Sequence, residues 1–391
     1  AQGGWDVTYV FDPKLGVPGI EGPEFLADPT NADDVDYVAT FGDLRVTLND
    51  LRRPSATRFF QEQVARTAIV NGIWVGSIAH DPCRVRMLTG TTLQTNADVV
   101  TISGKVYGES LPLGSVDMSG VGFTGALAAT AGSIGGSSQI KTLLDPNVAF
   151  TGPGNGLQYP LYVPSAADED RVRRQLSARH TALSGRLPQG GAIEPRWLDF
   201  LESMDRSKRL VDQASGIVGQ LELGSQPSFR LMLDLATDLL SESVCASVLV
   251  DTRMQWDTHV NNSEQNEHFE TMFSGLNDLA QMLDDKGLAD STSVVVMSEM
   301  TRTPKHNPDR GKDHWQHTSA MLFGANVRPG LYGATDDLLE SIPMDLATGE
   351  PSASAGDLCK YESFVAGILA MLDVDPAEWF PDAVPFLGAK A

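Results

Sequence analysis

Two patterns of apolar residues alternate along this chain. Short runs that are apolar at nearly every position, Val7–Phe11, Ile73–Ile78, Ser243–Asp251, Ser293–Met297 and Ser319–Phe323, predict buried strands. Between the later runs, apolar residues recur at helical spacing. In NSEQNEHFETMFSGLNDLAQMLDDKG, Phe269, Met272, Phe273, Leu276, Leu279, Ala280 and Leu283 share one face, and Lys286-Gly287 closes the helix. RWLDFLESMDRSKRLVDQASGIVGQL, FRLMLDLATDLLSES and YESFVAGILAMLDV predict three more helices. Strands that are apolar throughout, alternating with helices, predict an α/β fold: a central, mostly parallel sheet covered by helices on both faces.

The middle of the chain breaks this pattern. From about 105 to 164 it is rich in Gly, Ser and Ala, as in GALAATAGSIGGSSQ, with a turn signal at PGNG. It is expected to be an insertion or lid over the carboxyl edge of the sheet, within a single domain spanning 1–391. The following DEDRVRRQLSARHTALSGRL predicts an exposed helix whose charges form a solvated face.

Charge narrows the partners. With 51 acidic against 29 basic residues the formal charge is -22, which repels nucleic-acid phosphates and anionic lipid headgroups and attracts divalent cations. No run approaches the length of a membrane span, so no integral membrane segment is expected. Cys83, Cys245 and Cys359 form no disulfide framework, and no two stand at metal-ligand spacing. A start at Ala1 is what removal of an export leader would leave.

Candidate chemistry gathers where the predicted strands end, the place where open parallel sheets bind ligands. The first run is bracketed by Asp6 and Asp12, and the second leads into His80-Asp81. Asp251, Asp257 and His259 follow the third, Ser298-Glu299 ends the fourth, and Asp313, His314 and His317 lead into the fifth. Imidazole with carboxylate suits zinc, manganese or iron, whereas carboxylates alone would suit calcium or magnesium. One or two divalent metals per chain are expected; a pair about 4 Å apart would polarise a tetrahedral ester. Each histidine alone is more readily structural than ligating, and their joint placement carries the expectation. Trp5, Trp74 and Trp315 flank these residues, either as pocket walls or as packing.

Local motifs carry a resemblance. HDPCRVRMLTG is similar to the sulfatase active-site segment C-x-P-S-R-x-x-L-L-T-G, with Pro82, Arg84 and Leu88-Thr89-Gly90 in register and His80 at the reactive cysteine. SVVVMSEMTR resembles the strand ending in S-D-H-G or S-D-N-G that delivers metal ligands in the same superfamily. Together WDTHVNN, VVVMSEMTRTP, GKDHW and GLYGATD resemble an exported, sulfatase-like bacterial family of unknown function within the alkaline phosphatase superfamily. The resemblance implies an alkaline phosphatase/sulfatase-like fold and export to the periplasm or beyond. By position it makes Asp6 and Glu299 metal ligands, with Met300 replacing the next one. Asp257, His259 and His314 would form the Asp/His/His set of the other metal, with His317 as a rival to His314.

Formylglycine is made from cysteine or serine, so His80 implies chemistry without it. His80 would either attack phosphorus directly or bind metal while an activated water attacks. Arg84 would clamp an anionic substrate, or pair with one of the many carboxylates. The leading expectation is an exported, metal-dependent hydrolase of small anionic phosphate or sulfate esters. The alternative is a non-catalytic secreted binding or surface protein on the same scaffold, motivated by Met300 and the missing Ser, Thr or Cys nucleophile. A metal-dependent isomerase or transferase is a third.

Overall fold

The computed structural model describes residues 1–134, 165–184, 193–218 and 227–391. Seven strands build its two larger sheets: β1 (Thr67–Trp74), β2 (Ser115–Asp117), β3 (Ala131–Ser133), β4 (Ser247–Leu249), β5 (Ser293–Met297), β6 (His317–Gly324) and β7 (Gly330–Tyr332). The helices are α1 (Pro54–Gln63), α2 (His80–Thr89), α3 (Val99–Tyr107), α4 (Ala166–Ser184), α5 (Ile193–Val218), α6 (Phe229–Ser241), α7 (Gln265–Asp285) and α8 (Tyr361–Met371). The fold is mixed α/β. All four periodic helical patterns form helices, and the arginine-rich stretch lies largely in α4, whose described side chains are mostly exposed.

The sheets differ from a mostly parallel one. One has the order β7-β1-β6-β5, the other β3-β2-β4. In the first, β6 runs antiparallel to β1, with Met321 opposite Ile69, and antiparallel to β5, with Leu322 opposite Val295; only β7 and β1 are parallel. Connectivity explains this. Residues 298–316 between β5 and β6 contain no helix to carry the chain back across the sheet, so it reverses and pairs antiparallel. The second sheet is parallel throughout, with Val116 of β2 beside both Gly132 and Val248.

Three sequence expectations change. Val7–Tyr9 is a 3-10 turn, because Asp6 caps it by accepting from the Thr8 N–H at 3.1 Å, and its apolar residues are buried on every side. The second run forms strand only to Trp74 and then turns at Gly76, and HDPCRVRMLTG is the helix α2 with Gly90. Residues 105–134 of the expected lid contribute β2 and β3 to the parallel sheet; 135–164 lie outside the described residues.

Alternate residues of β1 feed two cores. Ala68 and Val70 pack with Leu322 and Phe364, while Ile69 packs with Met321, Phe59 and Phe273. The antiparallel course of β6 brings its start to the edge where β1 and β5 end, so His314 faces the segments that follow those strands.

Candidate metal centre

Three segments deliver four side chains to one place. His80 is the first residue of α2, Asp257 and His259 sit in the irregular stretch after β4, and His314 lies just ahead of β6. Ligand atoms of His80, Asp257 and His314 all lie within 4.8 Å of one another. His314 Nε2 is 2.9 Å from Asp257 Oδ1, His259 Nε2 is 3.1 Å from the same oxygen, and His80 Nε2 is 3.4 Å from Oδ2.

The far nitrogen of each ring is tied to an acceptor. His80 Nδ1 meets Glu299 Oε1 at 2.7 Å, His259 Nδ1 meets Asp313 Oδ1 at 3.0 Å, and His314 Nδ1 meets the Ile78 carbonyl at 2.7 Å. Each Nδ1 therefore donates, which leaves the three Nε2 lone pairs turned towards one carboxylate. His259 Nε2 and His314 Nε2 stand 3.0 Å apart with no hydrogen to share unless a proton or cation lies between them. Those spacings match nitrogen donors around one ion at about 2.0–2.1 Å.

One fixed cation adjoins the cluster. The fully buried Arg302 places Nη2 2.8 Å from Asp257 Oδ1, and its Nε donates to the Gly4 carbonyl at 2.7 Å. Burial works against the charge on Asp257, but its contacts with His314 and Arg302 outweigh it and hold the carboxyl at about 2. The Gly3 N–H donates to Glu299 Oε1 at 2.6 Å; a Cβ at Gly3 would stand 2.6 Å from the Asp257 nitrogen, so only glycine allows this approach. A Cβ at Gly311 would come within 1.9 Å of the His259 carbonyl oxygen. Glu299 is 2 % exposed, and its Oε2 has no hydrogen-bond partner among the described residues.

Other sequence candidates lie elsewhere. Asp6 is fully buried with both oxygens engaged: Oδ1 by Thr8, Oδ2 by Asn262 at 2.8 Å and by Lys312 Nζ at 2.7 Å. Burial raises its carboxyl, but Lys312 more than reverses that and the group is lowered. A resident ammonium thus stands where a second metal was expected. His317 points to Ser341, accepting from the Ser341 N–H at 3.1 Å, and burial pushes its imidazole down to about 4. Asp313 steadies His259 from the exposed side. Arg84, one turn along α2 from His80, pairs with Asp81 at 2.5 Å and reaches Gln2 at 3.5 Å. Cys83, Cys245 and Cys359 are buried free thiols, and Trp5 lies in an aromatic core with Phe11 and Trp256.

Sequence reading missed Arg302, Lys312 and Gly3. Two buried cations in so acidic a chain were the available signal, but their burial is invisible without the fold. Residues 234–350 are similar to a family described as a protein of unknown function (DUF1501). That stretch holds Asp257, His259, Glu299, Arg302, Lys312 and His314, and leaves out His80 and Asp6. No curated protein matches the chain. Among the described residues no helix is long and apolar enough to cross a membrane.

Proposed function

We propose that this protein is an exported hydrolase of phosphate or sulfate esters that binds one divalent metal through His80, His259, His314 and Asp257. The convergence of three Nε2 lone pairs on Asp257 carries the reading. Nitrogen-rich donors favour zinc, manganese or iron over calcium. Such an ion supplies Lewis acidity to an ester oxygen and makes water a better nucleophile. The chain's residues do the rest. Glu299 and Asp313 hold the Nδ1 protons of His80 and His259, and Arg302 keeps Asp257 ionised and oriented. On this reading His80 is a ligand rather than a nucleophile, and Arg84 can swing from the exposed Asp81 to an anionic substrate. The fold would be an alkaline phosphatase-like α/β fold in which the four-stranded sheet is mostly antiparallel.

One observation favours the second reading, a non-catalytic binding protein: Lys312 neutralises Asp6, so a two-metal centre is not available there.

Metal analysis of protein purified without chelators tests both readings. One equivalent of zinc, manganese or iron, lost in His314→Ala together with turnover of aryl phosphates or sulfates, is the expected result. Metal without turnover of either ester leaves the binding reading. No metal, and none taken up on dialysis, removes the metal centre from both.

A further inference from the structure

Among the described residues seven other than glycine hold the left-handed backbone, and two of them are arginines: Arg253 at φ 59° and Arg310 at φ 61°. Side chains with a Cβ seldom adopt this conformation, and asparagine and aspartate tolerate it best. Both arginines stand four positions ahead of a ligand of the metal centre, Arg253 before Asp257 and Arg310 before His314. Strain retained beside a site points to a role there.

Neither guanidinium is used up by the fold. Arg310 is exposed and makes no ion pair or side-chain hydrogen bond among the described residues, although Asp309 is adjacent and acids outnumber bases 51 to 29. Arg253 donates from Nη2 to the Met118 carbonyl at 3.1 Å, and its Nη1 stands 3.9 Å from Asp251 Oδ2. Its buried Nε meets no partner among the described residues. A guanidinium carries five N–H donors, so most of these stay open to a ligand.

The two arginines flank the centre. Arg310 is fixed beside His259: its carbonyl accepts from the Asn262 N–H at 2.8 Å, and Asn307 of the same turn donates to the His259 carbonyl at 2.9 Å. Arg253 leads towards His80. Asp251 Oδ2 accepts from Gln2 Nε2 at 2.9 Å, and Gln2 Oε1 lies 3.5 Å from Arg84 Nη1, one turn along α2 from His80. His259 meets Oδ1 of Asp257 and His80 meets Oδ2, so one arginine belongs to each side of that carboxylate.

We propose that Arg253 and Arg310 grip anionic groups on either side of the ester at the metal, so that the substrate is a sugar or polyol carrying several phosphate or sulfate groups. One anion needs one clamp, which Arg84 supplies; guanidinium groups on both flanks call for further charges on the same small molecule. Their planar forks suit the paired oxygens of either anion. That an ester is cut rests on the proposed function, whereas the flanking anions bind with or without metal.

Titration calorimetry on protein stripped of metal tests this with myo-inositol hexasulfate, myo-inositol hexakisphosphate, inorganic sulfate and inorganic phosphate. At least one inositol ester should bind roughly tenfold or more tightly than its inorganic anion, and the tighter of the two names the ester class. Arg253→Asn and Arg310→Asn, which suit the same backbone, should each weaken that binding about tenfold, the size of one charge-assisted contact, with Tm no lower. Arg253→Lys and Arg310→Lys keep the charge and should keep most of the affinity. Inositol esters that bind wild-type protein no better than the inorganic anions would overturn the proposal. So would affinity unchanged in both asparagine variants, or a loss confined to one of them. Because no metal is present, an empty metal centre leaves these outcomes as they stand.

Discussion

Two carboxylates, Asp6 and Asp257, lie close to basic side chains, yet they serve different ends. Asp6 is sealed: Lys312 meets its charge and Thr8 and Asn262 take its remaining valences. Asp257 is a third exposed, held by Arg302, and faced by imidazole nitrogens whose lone pairs oppose one another. A neutralised carboxylate is structural wherever it sits in the sequence. A ligand site is marked by acceptors that the protein brings together and leaves unmet.

The sealed side gives the largest expected effect. Lys312→Met strands a buried carboxylate and should cost about 3–5 kcal/mol in denaturant unfolding, most of it regained when Asp6→Asn is added. A loss near zero would mean that Asp6 was not sealed.

His317 offers the next contrast, an imidazole whose Nδ1 is satisfied by Ser341. Its folded value of about 4 lies below the ordinary 6.5, so between those pH values the unfolded chain binds a proton that the folded one refuses. Stability is therefore full above about 6.5 and falls as pH drops towards 4, by about 3 kcal/mol at the 1.36 kcal/mol of each pKa unit. His317→Asn should flatten that slope in Tm against pH.

On the open side, Asp313→Asn should weaken metal binding about 10- to 100-fold while leaving metal-free stability nearly unchanged. Equal affinity would show that His259 needs no support. The smallest effect belongs to Arg84→Ala, which breaks an exposed pair with Asp81 and should change stability by under about 1 kcal/mol. Should it raise KM for an anionic ester without altering kcat, the guanidinium binds substrate.

The sequence makes parts of this contrast legible. Helix α7 is readable because its apolar residues repeat at a spacing only a helix satisfies, and Asp257, His259, Glu299 and His314 are readable because polar residues close apolar runs. The role of Asp6 is not readable: its partner Lys312 is hundreds of residues away, and a lysine beside Asp313-His314 gives no hint that it is buried. Direction also escapes, since the apolar run of β6 looks the same whichever way it pairs. The turn at Val7–Tyr9 has strand-like composition and is set by the cap of Asp6.

The bond from Gly3 to Glu299 spans 296 positions, and that from His80 to the same carboxylate spans 219. Such contacts close late, because each must first pay the entropy of a long loop. As the chain emerges during synthesis, Gly3 and His80 meet Glu299 only after 296 and 219 further positions have followed. The centre thus exists only once residues 80 to 314 have all been made. On the proposed function, metal would be captured there only in the compartment where the finished chain folds, so that compartment's metal supply, as much as the donor set, would decide which ion is bound.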